Sequence, residues 1–202
     1  MREFKLRASA SGKLATKSRS KSEALSQTSK TYLQEWAKQE IYGVRKDISS
    51  KYLDKGNAVE DDAIDYAAKE LGWLFASKNE EYFENEYFCG TPDLILEDKI
   101  IDIKSSWDCF TFPLFEEDVP NKDYYYQLQV YMHLTGKKQA ELVYVLMNTP
   151  EDLAYSKELH DYSTISAKHR VKVFKIDYDE DAIELLTDKV GEAKDYLNKI
   201  NK

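Results

Sequence analysis

From Leu25 onward the apolar and aromatic positions return at helical spacing. Leu25, Thr28, Tyr32, Trp36, Gln39 and Ile41 follow one another, serines from Ser26 to Ser29 offer N-caps, and Gly43 offers a stop. The pattern predicts a helix of about four turns. A second helix is signalled by Val59, Ala63, Ala67 and Leu71 on one face, closed by Gly72; Asn57 with Glu60 has the spacing of a capping box. From Tyr82 to Lys104 the period shortens. YFENEYFCGTPDLILEDKIIDIK is rich in aromatic and β-branched residues and is interrupted by Gly-Thr-Pro and Glu-Asp, which predicts three strand segments.

Residues 107–122 form a Pro-broken, aromatic-rich connection. Asp123 can then cap a helix through YYYQLQVYMHLTG to Gly136. Ala140 to Met147 is a nearly continuous apolar run, the mark of a strand covered on both faces. A last strand, Val171 to Asp177, leads to a terminal helix over 179–200 with Ile183, Leu186, Val190, Ala193 and Leu197 on one stripe. Residues 1–22 are Ser/Lys/Arg-rich with little periodicity and are expected to be a basic N-terminal arm, or a loosely held first strand and loop. No internal repeat or Pro/Gly linker divides the chain. One α/β domain over 1–202 is expected, with a central mixed sheet of four to five strands flanked by helices.

Composition narrows the chemistry. No apolar run approaches the roughly 18 residues of a membrane span, and the basic first segment lacks the apolar middle of a signal peptide, so the expectation is a cytoplasmic protein with no membrane partner. Two cysteines, Cys89 and Cys109, cannot by themselves close a four-cysteine zinc or iron-sulfur site. Three histidines without a His-Glu-x-x-His spacing disfavour a zinc hydrolase. Carboxylates remain abundant. The net charge is −8, but residues 1–56 carry 13 Lys+Arg against 6 Asp+Glu, and the rest carries 16 against 31. A basic end can hold a polyanion despite an acidic total, because binding responds to local potential. A solvated basic tail is the bland alternative.

The informative segment is Pro92-Asp93 with Asp102-Ile103-Lys104. Whether Glu97-Asp98 is the turn of a hairpin or Leu96 to Lys99 its loop, Ile95 falls opposite Ile100 and Asp93 opposite Asp102. Both carboxylates then share a face, where like charges destabilise unless a cation stands between them. Lys104 points the same way as Asp102, and Ile101 and Ile103 point into a core on the other side. Two carboxylates and a lysine on a pleated surface suit a hard divalent cation such as Mg²⁺, which keeps several waters and takes substrate phosphate. That points to phosphodiester hydrolysis, with Lys104 orienting water or offsetting developing charge. The bland alternative is a surface hairpin with a salt bridge from Lys104 to Asp93 or Asp102.

GTPDLIL followed by KIIDIKSSW, with KGNAVEDDAI before and YYYQLQVYMHLTG after, resembles the PD-(D/E)xK nuclease superfamily. Within it the chain is similar to the phage-type exonucleases of the lambda exonuclease and YqaJ group, close to RecB-like nuclease domains. Four motifs in the right order, from about Ser26 to Leu197, carry the resemblance. It implies a restriction-endonuclease-like core. It makes Glu60 the helix-borne acid, a metal ligand directly or through water; Asp93 and Asp102 the principal metal ligands; the Ile103 carbonyl a further ligand; and Lys104 the catalytic lysine. Gln127 and Tyr131 match the Q-x-x-x-Y motif, one face of a helix beside the site. Arg45 matches a basic position that helps hold the DNA end.

Each has a plainer reading. Glu60 completes the capping box of Asn57, Gln127 and Tyr131 suit an interfacial helix, and His133 suits packing or the surface. Lys13, Lys17, Arg19 and Lys21 are candidates for phosphate contacts, or for a tail. Of Trp107, Phe110, Phe112 and Phe115, just after the catalytic strand, some are expected to stack on or wedge apart terminal bases and at least two to pack in the core.

The resemblance implies a Mg²⁺-dependent exonuclease, with Mn²⁺ as a substitute and no iron-sulfur cluster. Its substrate is linear duplex DNA, degraded 5′ to 3′ for phage-type recombination, with a single-strand annealing partner and a homo-trimeric ring as further expectations. There is no G-x-x-x-x-G-K-[ST] motif for a helicase. The alternatives are a structure-specific or restriction-type endonuclease, or a catalytically silent DNA-binding protein on the same fold.

Overall fold

A computed structural model describes residues 2–47, 49–73, 77–154 and 156–202. The chain opens with a short strand β1 (Leu6–Arg7), a 3₁₀ turn and α1 (Ser11–Ala15), then α2 (Gln27–Tyr42), α3 (Lys51–Ala58) and α4 (Glu60–Leu71). Four strands follow: β2 (Phe83–Glu84), β3 (Phe88–Gly90), β4 (Leu94–Ile95) and β5 (Lys99–Ser105). The remainder is α5 (Lys122–Thr135), β6 (Gln139–Val145), α6 (Lys157–His160), β7 (Val171–Asp177) and α7 (Glu180–Ile200).

The main sheet is mixed, in the order β4-β5-β6-β7, with β5 and β6 parallel and the outer pairs antiparallel. A parallel pair needs a crossover, and α5 supplies it. A smaller sheet, β1-β3-β2, lies on the same chain of connections. Side chains on β5 and β6 alternate between two cores. Ile100, Leu142 and Tyr144 join Leu33, Leu128, Met132 and Leu186 from α2, α5 and α7, whereas Ile101, Ile103, Val143 and Val145 join Ala63, Ile64 and Ala67 of α4. The sheet is therefore covered on both faces, as its continuous apolar runs require. No helix among the described residues is long and apolar enough to cross a membrane.

Local chemistry explains the boundaries. Ser26 caps α2 by accepting from the Ser29 amide, and Gly43 ends it in the left-handed region at φ 66°. Two expectations fail here. Asn57 is not a cap but lies inside α3, whose N-cap is Ser50, and Val59 interrupts the helix before α4 starts at Glu60. The capping box is thus absent. Asn121, not Asp123, caps α5, accepting from the Asp123 amide at 2.8 Å.

Of the two expectations for the first residues, an arm or a first strand and loop, the structure shows the strand, and holds it firmly. Phe4, Leu6, Ala8, Ala10, Leu14 and Ala15 are buried, and β1 pairs in parallel with β3. Phe4 and Leu6 alternate inward with Lys5 and Arg7 outward into and along this strand, and Ala8 and Ala10 are buried on the 3₁₀ turn that follows. Lys17, Arg19 and Lys21 are exposed on the connection between α1 and α2.

Candidate active site

The hairpin of β4 and β5 has the register expected from sequence, Ile95 opposite Ile100 and Leu94 opposite Ile101, closed by the Leu96 amide on the Lys99 carbonyl at 2.9 Å. It then stops at Pro92. Continued, the ladder would pair residue 92 with Ile103, but a proline has no N–H to give to the Ile103 carbonyl. The Pro92 carbonyl instead accepts from Asn79 Nδ2 at 3.0 Å, and the Ile103 amide is taken by the carboxylate of Asp93 (Oδ2, 2.8 Å). Asn79 also gives its own amide to the Asp93 carbonyl at 2.7 Å. Pro92 thus ends the ladder, has no N–H for the Ile103 carbonyl, and leaves the Ile103 amide to the Asp93 side chain.

Asp102 is 0% exposed and lies on the α5 side of the sheet. Its Oδ1 accepts from Gln127 Nε2 at 3.0 Å, and the same amide donates to the Tyr131 hydroxyl at 3.2 Å. Its Oδ2 is buried, and Lys104 Nζ stands 2.6 Å away as its one charged partner among the described residues. Lys104 also lies over the Tyr124 ring, 4.9 Å from its centroid. Gly90 lets Tyr131 in: a Cβ there would be 2.8 Å from Tyr131 Cε1.

The electrostatics follow from burial. Burial, and then the charge of Asp102, push Asp93 from the ordinary carboxylate range up to about 7, against the pull of Lys104 and the Ile103 amide. For Lys104 burial disfavours the ammonium, but the charges of Asp102 and Asp93 outweigh it and raise its affinity for the proton. Burial, followed by Asp102, raises the Tyr131 phenol, so it stays neutral.

These residues fit a divalent cation. A buried carboxylate whose Oδ2 meets only the Lys104 ammonium, a second carboxylate held back from ionising by burial and by the first, and the Ile103 carbonyl beyond the end of the ladder are hard oxygen donors. Two carboxylates suffice for a cation that keeps several waters. Glu60 is not gathered with them: among the described residues no three His, Cys, Asp or Glu side chains form a metal-binding group. α4 packs on the Ile101/Ile103 face, and Glu60 at its first residue is in an ion pair with Lys78 at 2.8 Å. Its charge still contributes to raising Asp93.

A cleft of 770 Å³ adjoins the site, reaching Gly90, Thr91 and Tyr131. Arg2, Lys5, Arg7 and Arg45 line it with Glu3 and Glu84. Arg2 is paired with Glu40 and Lys5 with Glu84, whereas Arg7 and Arg45 make no ion pair among the described residues. Family resemblance singles out Arg45 for the DNA but not Arg7, for which outward alternation with Leu6 was the available signal. Lys13 lies elsewhere, over the Tyr32 ring at 5.9 Å. The aromatic connection divides as expected: Trp107 and Phe112 are buried, and Phe110 and Phe115 are 84% and 89% exposed. His133 packs between Phe88 and Tyr178 and accepts or donates a 3.0 Å bond at the Tyr178 hydroxyl.

No family model matches the chain, and no curated protein sequence matches it. Solved structures do. A phage-related exonuclease from Haemophilus somnus 129PT superposes with a TM-score of 0.89 at 30% identity, over 98% of this chain and 96% of that one. The alkaline exonuclease LHK-Exo from Laribacter hongkongensis gives 0.72 at 17% identity, over 96% and 88%. LHK-Exo in complex with dAMP gives 0.71 at 19% identity over the same shares. The two LHK-Exo structures show likeness of fold.

Proposed function

The chain belongs to the phage-related exonucleases, of the lambda exonuclease and YqaJ type within the PD-(D/E)xK nucleases, and from that premise we propose that it is a Mg²⁺-dependent exonuclease of linear duplex DNA. The observation that carries the reading is the gathering of Asp93, Asp102 and Lys104 on one strand, with Lys104 Nζ 2.6 Å from the buried Oδ2 of Asp102 and the Asp93 carboxylate on the Ile103 amide.

Asp93, Asp102 and the Ile103 carbonyl would hold the metal, with Glu60 reaching it through water. When bound, Mg²⁺ supplies positive charge for the phosphoryl oxygens and lowers the pKa of a water. Hydrolysis joins a water oxygen to phosphorus and expels one bridging oxygen. Lys104, held as an ammonium by its two carboxylates, orients that water or offsets the charge that develops on phosphorus-bound oxygen. Gln127 holds Asp102 in place through Oδ1 and is itself set by Tyr131. The cleft with Arg2, Lys5, Arg7 and Arg45 offers a path for the phosphate backbone, in keeping with the nucleotide dAMP bound by LHK-Exo.

Family resemblance supports 5′-to-3′ digestion, a role in phage-type recombination beside a single-strand annealing protein, and a trimeric ring that would surround the DNA. Mn²⁺ is expected to replace Mg²⁺. The test is a linear duplex labelled at either the 5′ or the 3′ terminus and digested with Mg²⁺. Early release of the 5′ label as mononucleotide supports the polarity; early release of the 3′ label reverses it, and internal cuts make the protein an endonuclease.

A further inference from the structure

Lys55 of α3 is 1% exposed, and none of the carboxylates among the described residues pairs with it. Its Nζ donates to the carbonyls of Ser106 at 2.7 Å, Trp107 at 2.8 Å and Met147 at 2.8 Å. An ammonium has three protons and no acceptor, so three carbonyls satisfy it completely.

The position of these carbonyls explains why a buried charge is kept there. β5 and β6 pair in parallel as far as Ser105 with Val145, and the Ser106 amide on the Val145 carbonyl, at 3.1 Å, carries the pairing one step further. The chains then part. β6 continues toward β7, with the Leu146 amide on the Arg170 carbonyl, while β5 leaves the sheet for the loop that displays Phe110. The three carbonyls lie just past the fork, where a ladder no longer supplies donors and burial excludes water. Lys55 supplies a short donor to each from one atom, and Thr149 Oγ1 adds a longer one to the Trp107 carbonyl at 3.5 Å. Burial pushes its pKa down to about 8 and the charge of Asp108 opposes that, while three accepting carbonyls favour the charged form.

We infer that Lys55 is a positioning residue of the nuclease site: it closes the fork between β5 and β6, and so holds the end of β5 on which Lys104 meets Asp102. Lys104 lies one residue before the end of β5 and two before Ser106. With the fork open, β5 would fray from this end first, and a lysine 2.6 Å from a buried carboxylate oxygen would lose its fixed origin. The sequence conceals this role, since a lysine in KYLDKGN reads as a solvated helix residue.

The catalytic half of the inference rests on the nuclease reading; the structural half does not. The test compares wild type with Lys55→Met and Lys55→Gln. Amide hydrogen exchange is expected to accelerate at residues 104–107 and 147 in both variants, with α7 unchanged. On linear duplex with Mg²⁺, kcat per folded molecule should fall about 10- to 100-fold, the scale of a catalytic group displaced by about 1 Å, with KM for DNA little changed. Gln, which keeps two donors, should recover part of the loss. Wild-type exchange at the fork amides, and slow solvent exchange of the Lys55 ammonium protons by NMR, cover the case in which neither variant folds. A rapidly exchanging, mobile ammonium overturns the inference. So does a variant that is less stable yet has wild-type kcat and unchanged exchange at the end of β5. An inactive wild type would instead overturn the nuclease reading and leave the exchange result to decide the anchor.

Discussion

Asp93 takes with its side chain the Ile103 amide that a longer β4 would have taken with its backbone, at 2.8 Å. Pro92 ends the ladder here and gives its own carbonyl to Asn79, and the exchange brings a second carboxylate to the strand that already carries Asp102. Burial and Asp102 then keep Asp93 from ionising in the ordinary range. A bound cation would relieve what Lys104 leaves of their repulsion.

Asp93→Asn removes one of two opposed carboxylates while keeping an oxygen for the Ile103 amide. In the metal-free protein it should raise thermal stability at pH 8, by an amount on the order of 1 kcal/mol. It should lower Mg²⁺-dependent hydrolysis by at least about 10²-fold. Thermal unfolding in EDTA and initial rates on linear duplex measure the two effects, which have opposite signs. A variant less stable than wild type at pH 8 would count against repulsion at this site.

The pH dependence has a definite sign. Because the folded-state pKa of Asp93 is raised to about 7 from 3.8, the metal-free fold holds an extra proton between those values. Its contribution to stability is present at acid pH and is lost as pH rises through about 7. Mg²⁺ must displace that proton, so its affinity should fall as pH drops below about 7. Calorimetric titration at pH 6 and pH 8 tests this; equal affinities would remove Asp93 from the ligand set.

Gln127→Leu leaves Asp102 Oδ1 buried without its donor, a loss of about 1 to 3 kcal/mol. Activity should fall on the order of 10-fold, as when the support of a metal ligand is removed. Tyr131→Phe keeps the ring that packs against Gly90 and should be milder. Unfolding curves and rates on the same preparations separate the effects.

Phe110 and Phe112 are two residues apart and should respond differently. Phe112→Ala empties a core position, at about 3 to 5 kcal/mol. Phe110→Ala should change stability by less than about 0.5 kcal/mol. If the exposed ring stacks on a base, Phe110→Ala will instead raise KM for blunt duplex ends. An unchanged KM would leave Phe110 without a role at the DNA.

Neutralising Arg7 or Arg45 should reduce the slope of log affinity against log salt by about 0.9 for each phosphate that the protein then leaves to its counterions. Neutralising Lys17 or Lys21, outside the cleft, should leave it nearly unchanged. The reverse pattern would place the DNA on the connection between α1 and α2 instead.

The sequence was most legible where one periodicity ruled a whole element. The stripe of α7, the doubly covered β6 and the limits of β7 follow from apolar spacing, and the β4–β5 register from the turn at Glu97-Asp98, with the facing of Ile101 and Ile103 away from Asp102. It misled where two signals competed. Asn57 has cap chemistry, yet Ser50 lies where the chain turns, and α3 runs on to Ala58. Lys and Arg between Phe4, Leu6 and Ala8 left tail and strand both open and hid how deeply the strand is buried. Asn79 and Lys55 could not be read at all, because each acts on carbonyls distant in sequence, at Pro92 and Asp93 for one and at Ser106, Trp107 and Met147 for the other. Glu60 is divided between the two: the order of motifs singles it out, whereas the fold sets it at the start of α4 in an ion pair with Lys78, near enough for its charge to act on Asp93.

The most direct test of a metal-dependent exonuclease built on Lys104 is digestion of linear and covalently closed duplex DNA, with Mg²⁺ or EDTA, by wild type and Lys104→Ala in parallel. The predicted result is loss of the linear DNA alone, only with metal, and a rate at least about 10²-fold lower for Lys104→Ala. Cleavage of the closed circle, or digestion that persists in EDTA or without Lys104, would contradict it.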